Sequence, residues 1–144
     1  MNGESWELNV HHVGFVVPDI VASVQGFTHS LSMVWDGNIY EDPIQRVKVT
    51  FLATGSESPL MELVQPAADD SPVGSFLRER GGGLHHICYE VSDLEAQITE
   101  LKSRGAMIVR RPKPAVAFQG RRIAWLLTTE KLLIELLEDV SGGG

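Results

Sequence analysis

Cysteine is almost missing from this chain: Cys88 is the single one in 144 residues, so no disulfide can close within it. A chain without disulfides suits a reducing compartment, and the cytoplasm is the expected location. Basic residues are also scarce, 12 against 19 acidic ones, which leaves a formal charge of −7. Nucleic-acid binders ordinarily carry the opposite excess, so no nucleic-acid partner is expected. An anionic ligand would have to be met by a local cluster of cations, because the field of the whole molecule repels it. Long apolar runs are missing too. No stretch approaches the roughly 20 residues needed to cross a bilayer, so no membrane partner is expected. The opening residues, 1–7, do not resemble a signal peptide, and the closing Ser141-Gly-Gly-Gly reads as a flexible end. What remains is 43% hydrophobic and 22% charged, a composition that suits one domain over residues 1–144.

What the chain does have is an internal copy. His12-Val-Gly-Phe-Val-Val-Pro-Asp is echoed by His86-Ile-Cys-Tyr-Glu-Val-Ser-Asp, and Met61-Glu62-Leu-Val by Ile134-Glu135-Leu-Leu. Fifty positions separate His12 from Glu62, and forty-nine separate His86 from Glu135. Two histidines and two carboxylates, repeated at nearly one offset, make a mixed imidazole and oxygen ligand set for a divalent cation. Packing alone does not explain a duplication that preserves ligand types.

Hydrophobic periodicity gives both halves the same order, β-α-β-β-β. In the first half, a strand over 8–17 places His12, Gly14 and Val16 on one face and Val13, Phe15 and Val17 on the other. Pro18-Asp19 stops it and starts a helix whose stripe is Ile20, Val24, Phe27 and Leu31. Extended stretches follow over 33–40, 44–53 and 59–65. In the second half, a strand over 84–91 leads to Ser92-Asp-Leu-Glu95, a capping-box pattern with Ser92 as the cap. A helix with Leu94, Ile98 and Leu101 on one stripe comes next, then strands over 106–110, 121–128 and 132–137. The halves are thus module one, about 8–65, and module two, about 84–138. The connector, 66–83, carries a short helix opened by Ser71-Pro72 and ended by Gly81-Gly-Gly. Alternation puts Glu62 with Leu60 and Val64, and Glu135 with Leu133 and Leu137. A carboxylate interrupting an apolar strand face is costly when buried unpaired, and a cation or an arginine would remove that cost.

These segments, with Asp70-Ser-Pro-Val-Gly-Ser-Phe-Leu and Gly82-Gly-Leu-His-His-Ile-Cys-Tyr-Glu-Val, resemble the vicinal oxygen chelate superfamily of glyoxalase-like metalloproteins, and within it the methylmalonyl-CoA epimerases. The resemblance spans nearly the whole chain. It implies an α+β fold in which paired βαβββ modules form a cupped mixed sheet around one divalent metal ion, of the kind Co, Mn, Ni or Zn. By the same likeness the metal ligands are His12, Glu62, His86 and Glu135, and Glu135 doubles as the catalytic base. His11 and His85, each next to a ligand, leave an ambiguity of one residue per repeat. Parity resolves it, because choosing either would turn the imidazole to the face of Phe15 or Tyr89. The implied activity is a metal-dependent isomerase, an epimerase that abstracts a proton beside the carbonyl of a methylmalonyl-CoA-like acyl thioester. The alternatives are a glyoxalase I-like lyase or isomerase, and a small-molecule-binding module without catalysis. A homodimer is expected.

One departure from the epimerase pattern is chemical. Relatives often carry a second carboxylate near the position of Val49, where this chain has Val47-Lys-Val-Thr-Phe-Leu. A two-base epimerisation wants a base on each side of the carbon, and only Glu135 is evident. The basic residues Arg110-Arg-Pro-Lys113, with Arg121 and Arg122, have two equal readings, a binding cluster for the anionic end of the thioester or a solvated rim. Cys88 reads as a small core residue.

Overall fold

The computed structural model describes residues 8–139, so the opening segment and the closing Ser-Gly-Gly-Gly tail lie outside the described residues. Module one runs β1 (Asn9–Val16), α1 (Ile20–Leu31), β2 (Val34–Trp35), β3 (Tyr40–Asp42), β4 (Val47–Ala53) and β5 (Leu60–Pro66). A connector helix α2 (Gly74–Arg80) leads to β6 (Gly83–Val91), α3 (Leu94–Ser103), β7 (Met107–Pro114), a short 3-10 turn (Val116–Phe118), β8 (Arg122–Leu127) and β9 (Leu133–Glu138). Among the described residues, all nine strands belong to one mixed sheet, ordered β2-β4-β5-β1-β6-β9-β8-β7, with β3 also pairing along β4. Each module pairs its first strand parallel to its last, β1 with β5 and β6 with β9. The modules join antiparallel through β1 and β6 at the centre of the sheet.

Alternation along the strands sorts the two faces. On the outer face α1 covers Val17, Leu52 and Leu63 with Ile20 and Val24, and Phe15 packs edge-on to Phe27. In the other half α3 sets Leu94 and Ile98 against Val91, Ala124, Leu126, Ile134 and Leu136. On the inner face Val16, Val47, Val49 and Val64 meet Val73, Phe76 and Leu77 of the connector, which thereby roofs part of the cup. Burial of each such side chain is worth about 1.5–3 kcal/mol, so these layers outweigh any single polar contact in holding the modules in register.

Several local expectations are corrected by hydrogen bonding at the element ends. The stretch expected to be extended over 33–40 divides into β2 and β3, with Gly37 at φ 86° between them. The next strand starts at Val47, because the Asp42 carboxylate accepts from the N–H groups of Ile44 and Gln45 and draws that segment into a turn. Asp93, not Ser92, caps α3 by accepting from Ala96 N at 3.0 Å, and Glu95 pairs with Arg122 instead of closing a capping box. Helix α2 begins at Gly74, after a turn in which the Ser71 carbonyl accepts from Gly74 N. Leu31 ends α1 exposed and does not join the stripe of Ile20 and Val24. The 3-10 turn is not legible in the sequence, because its apolar residues Val116, Ala117 and Phe118 show no helical or strand period.

Candidate metal centre and active site

The four side chains singled out by the internal repeat converge on the inner face at the seam between the modules. In the sheet, Glu62 is flanked by Gly14 on β1 and Phe51 on β4, and Glu135 by Cys88 on β6 and Trp125 on β8. His12 comes from β1 and His86 from β6, so each module supplies one imidazole and one carboxylate, all within a single chain. All four are buried. Nε2 of His12 lies 3.2 Å from Glu62 Oε1, 3.1 Å from Glu135 Oε1 and 3.3 Å from Nε2 of His86. Nε2 of His86 lies 3.2 Å from Glu62 Oε1 and 3.4 Å from Glu135 Oε1.

These separations test whether a metal fits. Ligand atoms about 2.1 Å from one ion stand roughly 3.0 Å apart at octahedral right angles and roughly 3.4 Å apart in a tetrahedron. The observed edges, 3.1 to 3.4 Å, fall in that interval. Glu135 Oε1 is moreover buried without a well-aligned hydrogen bond, although both Nε2 atoms lie within 3.4 Å of it. A shared cation would satisfy that orphaned oxygen. The residues present therefore fit a divalent ion.

Electrostatics agree. Burial opposes charge on His12 and His86, but the facing carboxylates outweigh it and hold both imidazoles above the ordinary value of 6.5. Burial likewise opposes ionisation of Glu62 and Glu135, yet the imidazoles hold both carboxyls below their usual range. A charged quartet of this kind stores protons on the nitrogens a cation would need bare.

The space for a substrate opens beside the quartet, a cavity of about 170 Å³ bounded by Glu62, His86 and Glu135 at its floor. Val47, Val49, Val64 and Val73 form one wall, and Ala115, Ala117, Phe118 and Ile123 another. Asp42 is the one other carboxylate on the lining. It is not a free base, because its second oxygen accepts from Val116 N at 3.0 Å while the first holds Ile44 and Gln45. That bond also ties the β3–β4 turn of module one to the 3-10 turn of module two. Phe118 on that turn stacks on His12, ring centres 5.7 Å apart.

The basic candidates separate. Arg110 lines the cavity and pairs with no carboxylate among the described residues. Arg121 instead bonds Glu90 at 2.8 Å, and Arg122 is held between Glu95 and Glu138 at 2.8 and 2.6 Å. Neither lines this cavity. Cys88 is wholly buried, and burial pushes its thiol up beyond the ordinary range, which fits an unreactive core position.

His11 and His85 depart from simple alternation. The ladder between β1 and β6 slips once at His11 and once at His85, so each leading histidine is the extra residue of a bulge. Both rings consequently lie on the inner face, His11 beside Phe118 and His85 beside Trp125. Burial, reinforced by the neighbouring imidazole, lowers each to about 4. Nothing in the local sequence period marks these bulges; the paired His-His repeat was the available signal.

Comparison with known proteins gives one answer. The family model for the glyoxalase/bleomycin resistance protein/dioxygenase superfamily matches residues 11–125. The ethylmalonyl-CoA/methylmalonyl-CoA epimerase of Cereibacter sphaeroides is 31% identical over 118 residues, 81% of this chain and 86% of that protein. The mitochondrial methylmalonyl-CoA epimerase of Dictyostelium discoideum is 29% identical over 134 residues, covering 90% of this chain and 77% of that protein. The crystal structure of methylmalonyl-CoA epimerase from Mycobacterium tuberculosis aligns with a TM-score of 0.83 at 26% identity, covering 97% of this chain and 93% of that one. Sequence and architecture together show that the chain belongs to the glyoxalase/bleomycin resistance protein/dioxygenase superfamily.

Proposed function

We propose that this protein is a metal-dependent isomerase that moves a proton at the carbon beside the carbonyl of an acyl thioester, with a methylmalonyl-CoA-like substrate as the leading candidate. The observation that carries this reading is the buried quartet of two imidazoles and two carboxylates at the floor of a cavity. His12, Glu62, His86 and Glu135 hold one divalent ion, which when bound stabilises negative charge on a carbonyl oxygen. Glu135 takes the α-proton, since it belongs to the quartet and also lines the cavity. The apolar walls exclude water from the reacting carbon. Arg110, at the cavity, is the cation best placed for the anionic end of the substrate; Arg121 and Arg122 can contribute only by leaving their carboxylate partners. The relatives named as epimerases support the substrate class. The ligand set is complete within one chain, so a homodimer serves some other end than assembling the metal site. The single buried cysteine suits the cytoplasm.

The test is proton exchange. Metal-loaded protein incubated with methylmalonyl-CoA in heavy water should wash deuterium into the α-position. Glu135→Gln, which keeps an oxygen but loses the base, should slow this by about 10²-fold or more, the usual scale for a general base. Well-folded, metal-loaded wild type without exchange would end the assignment for this substrate. A glyoxalase I-like isomerisation is the second reading, and one observation favours it: valines, Val47 and Val49, line the cavity from the strand on which a two-base epimerisation would want its second carboxylate. Turnover of the glutathione hemithioacetal, without exchange of the thioester, would select it.

A further inference from the structure

We propose that His11 and His85 are positioning residues that fix the tautomer and ring orientation of the two metal-ligating histidines; this rests on the metal reading of the quartet. The geometry is duplicated. Nδ1 of His11 lies 2.8 Å from Nδ1 of His12, and Nδ1 of His85 lies 2.9 Å from Nδ1 of His86. Meanwhile the Nε2 atoms of His12 and His86 face the carboxylates and each other. A ligating imidazole gives the metal the lone pair of one nitrogen and carries its proton on the other. His12 and His86 coordinate through Nε2, so each must hold its proton on Nδ1. Only one proton fits between two nitrogens at this distance. His11 and His85 therefore present bare Nδ1 atoms as acceptors and carry their own protons on Nε2.

The bulges provide the means. A strand of regular pleat would send His11 and His85 to the opposite face from their neighbours, out of reach. The slip in the β1–β6 ladder at each of them turns adjacent rings to the same side. Surrounding aromatics then hold the accepting rings: Phe118 is 5.5 Å from His11 edge-on, and Phe76 is 4.8 Å from His85 edge-on. Cys88, opposite His12 in the ladder, also touches His12 but is a weak sulfur acceptor. Carboxylates or carbonyls usually fill this orienting role at metal sites. Here the same residue type does so in both repeats.

Two measurements test this. In the zinc-loaded wild type, long-range proton–nitrogen NMR should show protonated Nδ1 on His12 and His86 and unprotonated Nδ1 on His11 and His85. Separately, zinc affinity is measured by competition with a chromophoric chelator. His11→Leu and His85→Leu keep bulk but lose the acceptor, and each should weaken zinc binding by about 10- to 100-fold, as orienting-partner changes do. His11→Asn and His85→Asn place an oxygen one bond from Cγ, where Nδ1 was, and should restore binding to within about threefold of wild type, far inside that range. Leucine and asparagine variants that behave alike, or protonated Nδ1 on His11 and His85, would overturn the inference while leaving the metal site intact. Failure of the wild type to bind zinc, manganese, cobalt or nickel would instead overturn the metal reading and this inference with it.

Discussion

A Cβ placed on Gly14 would stand 2.0 Å from Cε1 of His86, far inside any allowed contact. The missing side chain is therefore what lets the His86 ring lie across β1 and reach Glu62. Gly14→Val should drive that ring out of the quartet, and chelator competition should read a loss of metal affinity of about 10²-fold or more. The argument is wrong if affinity survives within a few-fold in a folded variant. The same residues set a pH signature in the metal-free protein. His12 and His86 are raised by their carboxylates, so the stability they contribute is complete below 6.5 and lost as pH rises beyond it. His11 and His85 are lowered to about 4 by burial, so the unfolded chain binds the extra protons between 6.5 and 4 and stability falls as pH drops. Glu62 and Glu135 are lowered, and their contribution is lost only below the usual carboxylate range near 4.5. Chelated protein should thus be most stable near the ordinary histidine value of 6.5. Denaturant melts from pH 5 to 8 read this directly, and a profile still rising from 6.5 to 8 would contradict it.

At the scale of elements, helix starts depend on which side chain reaches an unpaired N–H. Asp93 and Asp19 do so for α3 and α1, accepting from Ala96 N at 3.0 Å and Val21 N at 3.1 Å. Asp93→Ala should cost about 1 kcal/mol, the usual value of a cap, whereas Ser92→Ala should be close to neutral. In a chain of this size that is a fall of roughly 2–4 °C in Tm for the first and little for the second. Equal losses would return the cap to Ser92. The Ser92…Glu95 spacing matched a capping box, but Glu95 is drawn to Arg122, a partner 27 positions away that no local pattern reveals. Strand β4 starts later than its sequence pattern predicts for a related reason: Asp42 bends the chain after β3 with its own carboxylate and reaches across to Val116.

For the whole molecule, a divalent ion in the quartet would join two modules that otherwise meet through the β1–β6 ladder, the Asp42–Val116 hydrogen bond and shared apolar layers. A ligand that binds only the folded state adds about 2.7 kcal/mol at a hundred times its Kd. Differential scanning calorimetry at that excess of the tightest-binding ion should raise Tm by roughly 5–10 °C for a chain of this length. A shift under about 2 °C at verified saturation would mean that the quartet does not couple the modules.

Much of this architecture could be read from one dimension because it is local or repeated. The period-two pattern put Glu62 on the face of Val64 and Glu135 on the face of Leu137, and the structure places them so, since pleating forces successive side chains to opposite sides. The duplication made two like modules legible without any contact being known. Tertiary structure alone decided the rest. Antiparallel pairing of β1 with β6 brought both repeats' histidines and glutamates together within one chain, and its two slips turned His11 and His85 inward. Ion pairing withdrew Arg121 and Arg122 from the cavity and left Arg110 on its wall. These outcomes depend on which distant strand or carboxylate meets each residue, and the local period of a chain carries no record of that.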